Sequence, residues 1–352
     1  MRAGFEDCRS TGKSGRRGIV AETVAEMSNV QAVSETLRSE FRRDERYIIL
    51  GEDVAKRGGV FRVTEGFLAE FGESRVIDTP LAEAAIVGVA IGAAVGGLLP
   101  VAEIQFADFS APAFEQIVDE AARMRYRSNN AFGVRLVIRM PWGAGVHGAL
   151  YHSQSVEVFY AHVPGLKVVV PSTPRDIVGM LRSAMRDPDP VIFLEHKATY
   201  RAVKGETPDD PDFTIPLGPA DVKREGTDIT VYAYGLMLHH CLKAAQALQT
   251  EDGVSVHVVD VRSLRPLDVD AIVEAAKKTG KCLVVYEDNR LFGAGAEICA
   301  LIAEKAFESL DAPVMRIGGP EAPATPFAKS LEDAFMPNPT TIAAAMRQLV
   351  RY

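Results

Sequence analysis

Three short stretches hold the residue types best suited to chemistry. Asp78-Thr79-Pro80-Leu81-Ala82-Glu83 stands between a strand pattern and a run of small apolar residues. Glu83 is the last charge before that run, so it opens a helix whose following residues bury it. An unpaired buried carboxylate is costly, and it either takes up a proton or finds a specific donor. The same position also suits an ordinary first-turn glutamate favoured by the helix dipole. The second stretch, Gly143-Ala144-Gly145-Val146-His147-Gly148-Ala149-Leu150-Tyr151-His152-Ser153-Gln154-Ser155, is a glycine-rich loop with two histidines and several hydroxyls. Such a loop after a strand can carry acid/base chemistry, or its histidines can simply satisfy backbone groups. The third is Glu103-Ile104-Gln105-Phe106-Ala107-Asp108-Phe109. Strand-end aromatics usually belong to a core, but at a ligand-facing edge Phe109 could stack on a flat heterocycle. His239-His240 at a helix start and His257 within a strand suit structural roles better.

The elements that must position these residues alternate along the chain. Tyr47–Leu50, Arg75–Ile77, Pro100–Ile104, Arg135–Arg139, Leu166–Val170 and Val191–Leu194 read as continuous apolar strands, with a helix expected at Ala113–Arg125. Strands of that kind separated by helices belong to a parallel sheet covered on both faces. A stretch with Pro208, Pro211, Pro216 and Pro219 then reads as a linker, after which Ile229–Tyr234, Val254–Val261, Cys282–Tyr286 and Val314–Ile317 restart the alternation. Ile298, Leu301, Ile302 and Ala306 mark one face of an intervening helix. The fold class is therefore α/β, two doubly wound, mostly parallel domains. Their expected limits are an N-terminal extension at 1–26, a first domain at 27–204, a linker at 205–220 and a second domain at 221–352. Ser28 and Gln31 read as a capping box opening the first helix. Ligands of open α/β sheets sit beyond the carboxyl ends of the strands, where all three stretches fall.

Composition excludes several classes. The 352 residues carry a formal charge of −8, which argues against nucleic acid as a partner. Four cysteines, Cys8, Cys241, Cys282 and Cys299, show no CxxC spacing, so neither a zinc site nor a disulfide framework is signalled, and a reducing cytoplasmic setting fits. Ala84–Ala102 is free of charge for 19 residues, but it is rich in glycine and alanine, is flanked by Glu83 and Glu103, and lacks basic flanks. That reads as a buried soluble helix and not a membrane span.

Taken as an ordered set, the motifs resemble the beta subunit of the thiamine-diphosphate-dependent decarboxylase component of 2-oxo acid dehydrogenase complexes, a transketolase-like family. The resemblance runs from about Met27 to the C-terminus, through GEDV (51–54), GGVFRVTEG (58–66), DTPLAE (78–83), EIQFADF (103–109) and HGALYHSQS (147–155). It continues through FLEHK (193–197), DVRSLRPLD (260–268) and LDAPVMRIGGPEAP (310–323). RYRSNN (125–130) together with HGALYHSQS is more similar to branched-chain enzymes than to pyruvate enzymes. Pyruvate is the second candidate substrate and acetoin a third.

The resemblance implies roles for particular residues. Glu83 matches the glutamate that activates the cofactor, Phe109 the aromatic against its aminopyrimidine, and Gln105 a neighbouring cofactor contact. His152 matches the histidine that serves acyl transfer to lipoamide. A structural potassium ion is implied at the carbonyls of Val134, Leu136, Val137 and Ala184 with Asp187 and Asp189, the last standing where the family often has asparagine. The family's Gly-Asp-Gly motif for Mg²⁺ and diphosphate occurs nowhere here; Glu251-Asp252-Gly253 is nearest. The chain thus reads as half a site, with an alpha subunit holding Mg²⁺ in an α₂β₂ assembly that serves a dihydrolipoyl acyltransferase core and its lipoyl domain. Gly88, Gly92 and Gly96 form one helix stripe, expected at a subunit boundary. A non-catalytic scaffold and a nucleotide-binding module are the alternatives from other classes; the latter lacks GxGxxG and GxxxxGK.

Overall fold

The computed structural model describes residues 24–352, so residues 1–23 of the expected extension lie outside the described residues. The described residues open with a strand, β1 (Val24–Ser28), which includes three residues ahead of the first domain's expected start. The first helix, Asn29–Arg43, follows with the Ser28/Gln31 capping box in place. In chain order the remaining strands of the first domain are β2 (Tyr47–Gly51), β3 (Val76–Asp78), β4 (Leu99–Glu103), β5 (Val137–Trp142), β6 (Lys167–Val169) and β7 (Val191–His196). Then come β8 (Lys204–Pro208), β9 (Asp221–Arg224), β10 (Ile229–Ala233), β11 (Val256–Asp260), β12 (Ser263–Arg265), β13 (Cys282–Asn289) and β14 (Met315–Gly319).

The first sheet has the order β12-β6-β7-β5-β4-β2-β3, parallel except for the edge strand β12. The second has the order β14-β13-β10-β11-β9, parallel except for β9. Buried runs on β2, β4, β5 and β7 account for this arrangement, because only a sheet covered on both faces hides every side chain.

Four differences from the sequence reading have physical causes. The expected linker opens as β8, which pairs antiparallel with β1, and Phe213, Ile215 and Leu217 further along pack on the first core. The strand expected at Arg135–Arg139 starts two residues later and runs to Trp142, with Pro141 near its end still in register with Glu195 of β7. The helix expected at Ala113–Arg125 follows a tight turn at Ala107–Ala113 and is broken into a wide π turn at Gln116–Ala121, where the Ala122 amide reaches the Ile117 carbonyl at 3.0 Å, and a short helix at Met124–Arg127. Gly165 is pressed there, for a Cβ on it would stand 2.1 Å from the Ala122 carbonyl oxygen. Finally, β12 belongs by sequence to the second domain but pairs with β6 of the first.

The two sheets also share a core. One buried cluster joins Met140, Trp142, Ile192 and Leu194 of the first sheet to Tyr232, Tyr234 and Val259 of the second. Polar straps cross the same boundary: Arg262 donates to Asp176 at 2.6 Å, Ser172 to Asp260 at 3.0 Å and Tyr234 to Glu157 at 2.9 Å. No helix among the described residues is long and apolar enough to cross a membrane.

Candidate active site

The carboxyl ends of four neighbouring strands form one rim. Register aligns Asp78 with Gly51, Gly51 with Glu103 and Glu103 with Arg139. Asp78 closes the rim's first loop by accepting the amides of Ala55 at 2.6 Å and Lys56 at 3.2 Å. Five residues on, Glu83 opens the helix Glu83–Val95 with 8% of its surface exposed. Its charge helps burial and Asp53 to raise the Glu52 carboxyl, so Glu83 and Glu52 are neighbours. Gln105 meets the same loop, donating to the Glu52 carbonyl at 3.4 Å.

Beneath the rim, Arg139 is fully buried between two carboxylates. It makes paired bonds to Glu195 at 2.6 and 2.8 Å and a third to Glu103 at 2.5 Å, while Tyr200 donates to Glu195 at 2.6 Å. Burial raises the Glu103 carboxyl despite the pull of Arg139. This knot fixes the strand end from which Gln105, Phe106 and Phe109 project.

The helix from Glu83 packs on the turn Ala107–Ala113, which brings Phe109 to its side. His152 lies edge-on to Phe106 and Phe109, with ring centroids 4.5 and 5.3 Å away. Glu83, Gln105, Phe109 and His152 are therefore gathered along one stretch of the rim, the candidate crevice: Glu52 links Glu83 to Gln105, and Phe109 lies edge-on to His152. Its aromatic wall, the carboxylate at a helix start and the imidazole fit the pyrimidine half of thiamine diphosphate: a flat ring can lie on the aromatics, and a carboxyl can meet a ring nitrogen.

Other groups stand near these residues without a role read from the sequence, although Asp108, His196 and Lys197 lie within the EIQFADF and FLEHK motifs. Lys197 is buried, its Nζ has no hydrogen-bond partner among the described residues, and it stands 5.8 Å from the Phe106 ring centre. Burial lowers its ammonium to about 8, with Asp108 and Glu287 pulling upward. Burial raises Asp108, which accepts the Gln154 amide at 3.1 Å. His196 pairs with Glu287 at 2.7 Å; burial alone would raise Glu287, but His196 and the Ala144 amide hold it below the usual range. The Gly143 backbone, at φ 84°, passes so close that a Cβ there would strike His196 and Glu287. The contacts of these residues are invisible to local sequence because each acts across a domain or a strand.

Among the six potassium candidates, the Asp189 amide donates to Asp187 at 2.9 Å, and Val134 and Asp189 line one cavity. Val191 already donates to the Leu136 carbonyl at 2.9 Å and Asp187 to the Ala184 carbonyl at 3.2 Å. Asp187 faces Lys167, and Asp189 faces Arg125. With both carboxylates paired, a cation would use the second lone pairs of the carbonyls. His257 is buried beside Lys278, and His239 meets the Ser172 carbonyl at 2.8 Å, so both serve structure.

Comparison with known proteins agrees with this geometry. Residues 25–203 match the transketolase pyrimidine-binding domain and residues 218–342 the transketolase C-terminal domain. A solved split-gene transketolase, described as an inactive beta4 tetramer, has the same fold, with a TM-score of 0.71 at 23% identity over 92% of this chain and 98% of its own. Fold and crevice thus define a transketolase-type protein. The 2-oxoisovalerate dehydrogenase subunit beta of Bacillus subtilis (strain 168) is 54% identical over 93% of this chain and 99% of its own length. The pyruvate dehydrogenase E1 component subunit beta of the same strain is 45% identical over 94% and 100%. The chain belongs to the family of 2-oxo acid dehydrogenase beta subunits, on the branched-chain side of it.

Proposed function

We propose that this chain is the beta subunit of a 3-methyl-2-oxobutanoate dehydrogenase and supplies the pyrimidine half of a thiamine diphosphate site shared with an alpha subunit. The observation that carries this reading is the pairing of His152 with Phe109, which lies on the turn against which the helix opened by Glu83 packs, at the carboxyl ends of the strands. The higher identity to the 2-oxoisovalerate enzyme, 54% against 45%, supports the branched-chain substrate. Thiamine diphosphate, when bound, supplies the electron sink for loss of carbon dioxide and the carrier for the acyl group.

This chain's residues do the rest. The Glu83 carboxyl, itself only 8% exposed at the start of its helix, holds a proton against the far ring nitrogen of the aminopyrimidine. Phe109 supplies a face for that ring, and Gln105, held by the Glu52 carbonyl, lines its edge. His152 delivers a proton while the acyl group passes to lipoamide, its ring kept upright by Phe106 and Phe109.

The absent Gly-Asp-Gly motif supports an alpha subunit that holds Mg²⁺ and the diphosphate, in an α₂β₂ assembly docking on a dihydrolipoyl acyltransferase core in the cytoplasm. A potassium ion on the carbonyls of Val134, Leu136, Val137 and Ala184, beside Asp187 and Asp189, would steady the region behind β5. The test is turnover of the chain assembled with its alpha partner. The expected result is a kcat/KM for 3-methyl-2-oxobutanoate at least tenfold above that for pyruvate. Preference for pyruvate would overturn the substrate, and no decarboxylation of either would overturn the reading.

A further inference from the structure

The loop that ends in His152 has an unusual backbone. Gly143, Gly145, His147 and Ala149 all have left-handed φ values, 84°, 84°, 57° and 58°. Two of these are non-glycine residues, whose backbones enter that region only when surroundings impose it. The surroundings are two buried carboxylates of the second domain. Glu287 on β13 accepts the Ala144 amide at 2.9 Å. Glu332, on the helix Lys329–Phe335, accepts the Gly145 amide at 2.8 Å and the His147 amide at 3.2 Å, and also faces His147 Nδ1. Only 1% of Glu332 is exposed, so these amides are what satisfies its charge. A concave run of backbone amides closed on an anion is a stable device; here the anion is part of the protein. Downstream, Thr325 of the second domain donates to the Ser153 carbonyl at 3.3 Å, so the second domain grips the loop on both sides of His152.

We infer that Glu332 is a positioning residue for acyl transfer: it latches the loop 143–148 to the second domain and thereby sets the place of His152. The inference rests on the role given to His152 above. It assigns the second domain a part in the chemistry beyond the Glu287–His196 pair. Glu332 touches no substrate. Its effect is transmitted through the loop backbone, where a displacement of about 1 Å is enough to cost about a hundredfold in rate.

The test is a double-mutant cycle in the complex assembled with the alpha subunit, reading reductive acylation of a lipoyl domain beside cofactor affinity. Glu332→Ala is expected to slow acylation by about 10- to 100-fold, with thiamine diphosphate affinity unchanged within about twofold. Added to His152→Ala, it should cost little more than His152→Ala alone. Glu332→Gln keeps the volume and one acceptor oxygen, so it should retain intermediate activity and the same lack of additivity. It carries the cycle by itself if Glu332→Ala does not assemble. Losses that multiply with those of His152→Ala, or a fall in cofactor affinity matching the fall in acylation, would overturn the latch and leave the role of His152 standing. Wild-type acylation by His152→Ala would overturn both.

Discussion

Replacing Arg139 by methionine is the most demanding test of how the crevice is supported. Arg139 is fully buried, and its guanidinium is the sole positive group between Glu103 and Glu195 in this knot. Methionine fills most of the space and removes the charge, so two carboxylates are left facing one another away from water. Removing one partner of a buried pair costs about 3–5 kcal/mol, a large part of the ~5–15 kcal/mol that holds a domain folded. The cost must also depend on pH. In the variant, the carboxyls bind protons more tightly folded than unfolded, so their contribution is present at low pH and lost as pH rises. Each proton so retained is worth at most about 2.7 kcal/mol between pH 6 and pH 8. The deficit should therefore be about 2–3 kcal/mol larger at pH 8 than at pH 6. Trp142, the only tryptophan, lies on the same strand, so urea unfolding followed by its fluorescence reports this domain. Glu195→Gln, which leaves the Arg139–Glu103 pair intact, should cost only about 1–2 kcal/mol. An Arg139→Met deficit below about 1 kcal/mol at both pH values would refute the view that this knot supports the crevice.

Further outcomes are expected elsewhere. Glu83→Gln should fold normally but lose decarboxylation by about 100-fold or more, since an amide cannot exchange the proton; near-normal turnover in the assembled complex would remove Glu83 from its role. His152→Ala should slow reductive acylation of a lipoyl domain at least as much as decarboxylation, as stopped-flow and steady-state rates together will tell. Gly92 and Gly96 lie exposed, and a Cβ on Gly92 meets nothing within 4 Å, so Gly92→Leu should fold by circular dichroism yet fail to sediment as a full assembly with the alpha subunit. Burial, with Asp176 adding to it, raises the Asp260 carboxyl to about 8, and burial raises Asp288 to about 6. Both hold protons that unfolded carboxyls release near pH 4, so their stabilisation is complete below that pH and lost as pH climbs through 6 and then 8. Asp260→Asn should flatten the upper part of that loss in thermal melts from pH 5 to 9.

Strands were legible because segments such as Tyr47–Leu50, Val191–Leu194 and Cys282–Tyr286 are short continuous apolar runs, the pattern of a sheet covered on both faces. β12 was not: three residues carry no period, and its partner β6 lies in the other domain. The π turn at Gln116–Ala121 was hidden for a related reason, since helical spacing does not distinguish a wide turn from a regular one. Of the candidate site, Glu83, Phe109 and the loop bearing His152 stand out by residue type and position, while their roles and that of Gln105 come from the family resemblance. Glu332 and Glu287 could not, lying 187 and 143 residues from the amides they accept. Only the folded chain brings those carboxylates to the loop. Likewise, the FLEHK motif does not reveal that Lys197 is buried with its Nζ over the Phe106 ring.

Binding of thiamine diphosphate with Mg²⁺, measured by calorimetry first on this chain alone and then on its mixture with the alpha subunit, tests the shared site most directly. The account predicts little or no heat from the chain alone and tight, stoichiometric binding once the alpha subunit is present. Stoichiometric Mg²⁺-dependent binding by this chain alone, at micromolar affinity or better, would contradict it.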